Sequence, residues 1–359
     1  MSHLAQLGCP NQYSAVIFRR KGDHPTFNLR GLTQVTWSRK LDAVSTATVT
    51  IAKMSAGADC CTGIGQTQPW SHELGIFRDN DLMWQGPIQT IIEDKDFVTI
   101  TASDVVAWMN VRYNRDAYDF TNTGTDQTDI AVFFINQAFT PDDPHVREYV
   151  ISLPTGATYQ APQHNAYTTT WGAALDDLAK QDLDYTTVGR RIIVGGELST
   201  LTPHMALSDS AFLTNLQVVM DGNQLATRYC AAGQEGANVT CVGGVDDFYG
   251  LVERLVSADS ITSEWDALYT AQSEYNVSYP QPVVITVPSG ASLADAAPVG
   301  IDQLICGARI DVSLTSFCRD IAQPMRLTGL NVAWDGQFET VGVNLDPFVG
   351  SSRTAVLGS

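Results

Sequence analysis

Short runs in which apolar and polar residues alternate dominate the two ends of the chain. In FVTITA (97–102), Phe97, Thr99 and Thr101 fall on one face and Val98, Ile100 and Ala102 on the other, the period of a strand with one buried face. Upstream, ELGIFR (73–78) and LMWQGPIQTII (82–92) are apolar runs separated by Asp79, Asn80 and Asp81, residues that tolerate turn angles and hydrogen-bond their own main chain. This predicts a hairpin with its tip in water. Gly86 and Pro87 interrupt the second run, and because proline cannot donate to a ladder, that point is a bulge, an edge or a bend. Together with VTWSRKLDAVSTATVTIA (35–52), these runs read as a β-meander over 35–104 that a similar run near the C-terminus repeats.

The period changes in the middle. DQTDIAVFFINQAF (126–139) places Ile130, Phe133, Phe134 and Ala138 on one stripe behind Thr125 and Asp126, which can cap a first turn. The prolines and aspartates of TPDDPHVREY (140–149) predict a loop. A second helix follows in TTTWGAALDDLAKQ (168–181), with Trp171, Ala174, Leu175 and Leu178 inward, then a hairpin turning at Gly189 in LDYTTVGRRIIVGG (183–196). Beyond about 206 the chain returns to strands. Asp221-Gly222 and Asp335-Gly336, both flanked by strand-like residues, predict hairpin turns, and GARIDVSL (307–314) alternates with Ile310, Val312 and Leu314 on one face. One helix, SITSEWDALYTAQSEY (260–275), is expected to pack through Ile261, Trp265, Leu268 and Tyr269.

The expected fold class is mainly β with an α+β insert: two barrel-like tube domains flanking helices. The predicted division is an N-terminal β-barrel domain over 1–117, an α+β insert over 118–205, and a C-terminal β-rich domain over 206–359 with one helix at about 260–275. A length of 359 residues allows two or three domains, and 44% hydrophobic with 17% charged residues is globular rather than disordered. No apolar stretch reaches the roughly eighteen residues of a membrane span, and MSHLAQLGCPNQYSAV lacks the order of a signal peptide, so no membrane anchor is expected and synthesis is placed in the cytoplasm.

A net charge of −18 argues against general nucleic-acid binding, because affinity for phosphate comes mainly from Lys and Arg. Two uses of the acid stay open: solubility, or the lining of a surface that DNA passes without sticking. Seven cysteines, at 9, 60, 61, 230, 241, 306 and 318, contain no Cys-x-x-Cys pair, and the odd count favours reduced structural thiols. Cys230 with Cys241, or Cys306 with Cys318, are the candidates for facing one another across strands.

Catalytic and metal motifs fail on inspection, and no catalytic, cofactor or metal residue is assigned. His72-Glu73 opens like a zincin helix without its second histidine, in a segment that reads as strand. Gly63 to Gly65 lacks the glycine or Lys-Ser/Thr of a phosphate loop and reads as a flexible loop. Asp79, Asn80 and Asp81 lack the glycine and distal glutamate of a calcium loop. The acidic pairs Asp142-Asp143, Asp176-Asp177 and Asp246-Asp247 read as solvated charge rather than glycosidase carboxylates. Asn238 and Asn276 are glycosylation sequons without a secretory signal. Trp37, Trp70, Trp84, Trp108, Trp171, Trp265 and Trp334 are spread one per segment, as core anchors are.

TWSRKLDAVSTATVTI, then WSHELGIFRDNDLMWQGPIQTI and VTITASDVVAWM, resembles the minor tail proteins of long-tailed phages of actinobacteria. YGLVERLVSADSITSEWDALYTAQSEY, QPVVITVPSG, DQLICGARIDVSL, MRLTGLNVAW and ETVGVNLDPF continue the similarity to the same Gp37-like, or baseplate-hub, proteins over nearly the whole chain. The resemblance implies a structural virion protein of the distal tail tip, not an enzyme and without cofactors. It implies a homotrimer whose two β domains per subunit form a ring around the DNA exit channel. Implied partners are the tail tube, distal tail, tape measure and tip or fibre proteins, with DNA passing unbound. The alternative is a host-surface carbohydrate-binding or carbohydrate-degrading tail protein, which would keep an open cleft with convergent acids and exposed tryptophans.

Overall fold

The computed structural model describes residues 6–348 except 11, 23, 121–123, 140–149, 157–164, 181–182, 197, 234–235, 237, 259–260, 262, 280–282 and 319. The first strands are β1 Tyr13–Arg19, β2 Pro25–Leu29, β3 Leu32–Lys40 and β4 Thr46–Ala52; helices α1 Lys53–Ala56 and α2 Ala58–Gln66 precede β5 His72–Arg78, β6 Asp81–Glu93 and β7 Phe97–Ser103. The middle holds α3 Ala107–Asn110, α4 Gln127–Phe139, β8 Val150–Leu153, α5 Trp171–Ala179, β9 Asp184–Val188 and β10 Arg191–Gly195. Then come β11 Met205–Ser208, β12 Gln217–Met220, β13 Arg228–Ala232, β14 Thr240–Gly243 and β15 Glu253–Ser257. The chain ends in α6 Glu264–Ser278, β16 Val283–Thr286, β17 Ala291–Ser292, β18 Arg309–Leu314, β19 Ile321–Trp334 and β20 Glu339–Pro347. The fold is mainly β with a helical insert.

The chain divides into two compact units assembled from interleaved segments, where the sequence suggested consecutive ones. The first takes Met1–Thr214, Ser289–Ile310 and Arg326–Leu345; the second takes Asn215–Pro288, Asp311–Met325 and Asp346–Ser359.

The twelve-stranded sheet that makes up most of the first unit runs β11-β18-β19-β3-β4-β7-β6-β5-β1-β2, with β20 on β19 and β17 on β20. The segment 35–104 is therefore not a meander in chain order: β4 pairs with β7, not β5. The interval between β4 and β5 holds α1 and α2, so Gly63 and Gly65 lie in a helix and not in a loop. Gly63 is there because a Cβ would come within 2.6 Å of the Phe27 ring. The C-terminal run joins the same sheet through antiparallel pairing of Gly329–Trp334 in β19 with Lys40–Val35 in β3.

Strand β6 changes partner part-way along its length. Its first half pairs with β5 up to Pro87, and its second half pairs with β7 from Ile88 onward, with a register shift between Ile88 and Thr90. Gly86 lies where the strand crosses the end of β7; a Cβ there would fall 2.1 Å from the carbonyl oxygen of Ser103. The predicted tip is a two-residue turn in which Asp79 (φ 49°) and Asn80 (φ 75°) both take the left-handed conformation. The inner positions Val49, Ile51, Ile88, Val98, Ile100 and Ala102 are buried, as the alternation requires.

The insert belongs to this unit. Helices α4 and α5 pack Ile130, Phe134, Ala138, Trp171, Leu175 and Leu178 against Tyr185 and Ile192 of β9 and β10. Asp126 caps α4 by accepting from the Thr128 amide at 2.8 Å, and Gly189 makes the expected turn between β9 and β10 with φ 59°.

In the second unit, β13 pairs antiparallel with β14 and parallel with β15, and β12 pairs with β16. The Asp221-Gly222 hairpin does not form. Instead Asp221 caps a short 3-10 turn by accepting from the Asn223 amide at 2.8 Å, and the chain leads from β12 into a different sheet. Cys230 and Cys241 stand opposite one another in β13 and β14, with Cα atoms 4.0 Å apart, and are disulfide-bonded. That corrects the expectation of reduced cysteines. Cys9, Cys306 and Cys318 are free; the side chains of Cys60 and Cys61 lie outside the described residues.

Candidate functional site

One face of the large sheet carries rows of hydroxyl side chains, with the exposed Ile92 and Phe97 at its margin. The register aligns Thr36 with Thr48, Thr48 with Thr101, and Thr101 with Thr90, so one row of threonines crosses β3, β4, β7 and β6. The next row pairs Gln34 with Thr50 and Thr50 with Thr99. The alternation that buries Val49 and Ile100 turns these threonines to solvent, and their β-branches suit an extended backbone. The Thr48 and Thr101 hydroxyls lie 3.5 Å apart. Where β19 continues the sheet, Ala333 stands beside Thr36 and Asn331 beside Ser38. A shallow concavity of about 410 Å³ opens there, lined by Thr36, Ser38, Lys40, Thr46, Asn331 and Thr340 among others. The two threonine rows carry no carboxylate.

The histidine and most of the acids considered from the sequence have structural partners. Glu73 is fully buried in β5 as the partner of Arg190, whose Nε and Nη2 approach its carboxylate at 2.9 and 3.0 Å; Gln85 Nε2 donates to it at 2.9 Å. His72 Nδ1 accepts from the Gln68 amide at 3.1 Å. Asp176 accepts from the Tyr185 hydroxyl at 2.6 Å and Asp177 pairs with Lys180 at 2.7 Å. Asp246 closes a turn by accepting from the amides of Phe248 and Tyr249, both at 2.8 Å, and from the Tyr279 hydroxyl, which lowers its pKa. Asp142-Asp143 falls outside the described residues. Asn238 sits in a left-handed turn (φ 54°), and Asn276 accepts from Gln272 on α6. No cluster of three metal-ligating side chains occurs among the described residues, and no described helix is long and apolar enough to cross a membrane.

Of three buried groups that sequence reading missed, Asp42 and Asp104 hold the insert to the large sheet and Arg39 binds backbone elsewhere. Asp42 exchanges two hydrogen bonds with the Tyr185 backbone: its carboxylate accepts at 2.8 Å and its amide donates at 2.9 Å. Burial pushes the Asp42 pKa up to about 7, assisted by the neighbouring Asp184. Asp104 is buried too and is pushed up to about 6, although it accepts from the Ser45 amide at 2.6 Å, the Val106 amide at 3.0 Å and the Thr187 hydroxyl at 2.9 Å. Arg39, fully enclosed, donates to the carbonyls of Met83 (3.1 Å), Ile301 (3.2 Å) and Leu304 (3.0 Å), and burial lowers its pKa to about 10. Apart from the Val106 amide, their partners lie 44 residues or more away, so no local sequence signal pointed to them.

The tryptophans divide. Trp37, Trp84, Trp108 and Trp171 are buried, Trp70 stacks edge-on against Trp108, and Trp334 lies against Tyr13. Trp265 is 79% exposed, as is much of the α6 stripe it begins, with Tyr269 at 73% and Leu268 at 38%. The expected packing face is reversed: of its four residues only Ile261 is buried, and α6 lies on its sheet through Ala267 and Ala271.

No protein-family model and no curated protein sequence matches the chain. Solved structures do match. The tail protein of Neisseria meningitidis aligns over 96% of this chain and 99% of its own, with a TM-score of 0.57 and 12% identity. The fold is one found in phage tail proteins. The 43 kDa tail protein of the Shewanella oneidensis prophage MuSo2 covers 93% of this chain and 98% of its own at a TM-score of 0.54 and 13% identity. The lidded Francisella PdpA-VgrG complex covers 98% of this chain and 54% of the matched one at 0.52 and 8%.

Proposed function

We propose that the chain is a structural component of a long-tailed phage virion, a hub subunit at the distal tail tip that forms a threefold ring around the DNA exit path. The observation that carries this reading is the end-to-end alignment with two tail proteins, which spans nearly all of each chain. The finer resemblance to minor tail proteins of actinobacteriophages rests on the order of the sequence segments quoted above. In the ring, the threonine face is the surface turned to the passing DNA: its two rows of uncharged side chains offer phosphate no cation to grip and no acid to repel it, and Lys40 lies at the edge beside them. The tail tube, distal tail, tape measure and tip or fibre proteins are the partners, and the role is assembly rather than catalysis.

The carbohydrate alternative requires convergent acids in a cleft. Neither the concavity by Thr36 nor the one lined by Arg19, Phe27, Gln66 and His72 includes a carboxylate, so neither of these two meets that requirement. A reconstruction of purified tail particles, or native mass measurement of their tips, tests the proposal. Three copies in a closed ring are expected; peripheral copies without a ring would sink the hub and favour a host-surface role.

A further inference from the structure

The concavity lined by Arg19, Phe27, Gln66 and His72 has a volume of about 440 Å³ and lies where β1, β2 and β5 meet the C-terminal half of α2. Strand register fixes its contents. Arg19 stands directly opposite His72 across β1 and β5, and Phe27 stands opposite Ile17, which shares a face of β1 with Arg19. Opposed side chains of antiparallel strands are close neighbours, so the guanidinium, the imidazole and the ring fall on one face. Further along β1 that face buries Tyr13, Ala15 and Ile17, and it turns polar only at Arg19. There α2 closes one side: Gly63 sits against the Phe27 ring, and Gln66 follows a turn later.

The free groups of this concavity are donors. Among the described residues no side chain pairs with the Arg19 guanidinium or the Gln66 amide. The Gln68 amide donates to His72 Nδ1 at 3.1 Å, which puts the proton of the neutral ring on Nε2. Thr26 and Thr67 spend their hydroxyl protons on the carbonyls of Ile17 and Gly63, each at 2.9 Å. No described lining residue is acidic, although the chain holds 39 acids against 21 Lys and Arg. A guanidinium fork matches the oxygens of phosphate and carboxylate, and charge-assisted bonds of this kind are the strong ones. The volume exceeds that of one such group, which leaves room for an apolar body beside Phe27.

We propose that this concavity binds a small organic oxyanion, with its phosphate or carboxylate held by Arg19, Gln66 and the His72 Nε2–H and its apolar body against Phe27. The inference is independent of the tail reading, because it rests only on this corner of the first unit. The test titrates the full chain, in buffer free of phosphate and carboxylate, with phenyl phosphate, benzoate and the neutral benzyl alcohol, read by calorimetry and by the histidine ring signals in NMR. Saturable binding of phenyl phosphate or benzoate is expected, at least about tenfold tighter than benzyl alcohol, and the tighter of the two anions identifies the group recognised. Arg19→Gln should weaken it about tenfold or more. His72→Asn, which keeps an acceptor for the Gln68 amide but removes the Nε2 donor, should weaken it about fivefold and identify the shifted ring signal. Arg20→Gln, next in sequence but outside the lining, should leave binding unchanged. No saturable binding up to about 10 mM overturns the proposal, as does equal binding of benzyl alcohol or an equal loss from Arg19→Gln and Arg20→Gln, which would mark diffuse charge on the hairpin and not a site. The comparison of anion with neutral probe uses the unsubstituted chain, so it decides whatever the variants do to the fold.

Discussion

At the scale of single residues, buried charge joins the insert to the barrel. Glu73 lies at 0% exposure, so its carboxylate is tolerable only beside Arg190 and Gln85. Arg190→Ala should therefore cost about 3–5 kcal/mol in denaturant unfolding, because it strands a buried anion, whereas Glu73→Gln with Arg190→Met together should cost much less. Equal losses from the single and double variants would show that the pair is not isolated from water. Asp42 makes a different prediction. Folded, it holds its proton up to about 7, against 3.8 for an ordinary aspartate, so folding favours the protonated form. The stability it contributes is complete below about 4 and is lost as pH rises through 7. Asp184, Arg326 and Asp176 are the charged groups facing it. Asp42→Asn keeps an acceptor for the Tyr185 amide and suits the left-handed backbone (φ 54°), so melting curves should show the variant gaining on the wild type between pH 4 and 8. A constant difference across that range would contradict the shift.

At the scale of elements, alternation located the strands but not their partners. Nearly every predicted strand exists, since a period of two and a buried face are local properties, yet β4 pairs with β7 and β3 with β19 because pairing is decided by packing across the whole sheet. The same limit explains α6. Its large apolar residues read as the inner face, but a helix lying close on a sheet needs small ones, and Ala267 with Ala271 supply them. The threonine face was half legible: Thr99 and Thr101 were assigned one side of a strand, while the rows across four strands needed the register. Gly86 was marked as an irregularity, and the structure gives the reason. Gly86→Ala forces a methyl against the Ser103 carbonyl, 2.1 Å from the ideal Cβ, in a bend where backbone meets backbone. We expect a loss of about 3 kcal/mol in urea unfolding, at the upper end for overpacking. A variant as stable as the wild type would mean that β6 can part from the end of β7 without cost.

At the scale of the whole molecule, a charge of −18 and two uncharged rows of threonines point to the same outcome by different routes. The net charge lowers the affinity of the entire surface for nucleic acid, while the threonine rows remove local attraction where DNA would pass. If that face lines the path, cations placed on it should matter more than cations elsewhere. Thr48→Lys with Thr101→Lys puts two ammonium groups on adjacent strands at solvent-facing positions, so the fold and the incorporation into particles should be unchanged. In a ring of three, six ammonium groups would then meet the phosphates. DNA release from such particles should slow, and the delay should shrink steeply as salt is raised, because each phosphate contact adds about 0.9 to the logarithmic salt slope. The same pair of lysines at Thr26 and Met54, outside the threonine rows, should leave release unaltered. Normal release from particles that carry the Thr48 and Thr101 variants in full copy number would place the threonine face against a protein neighbour and not against DNA.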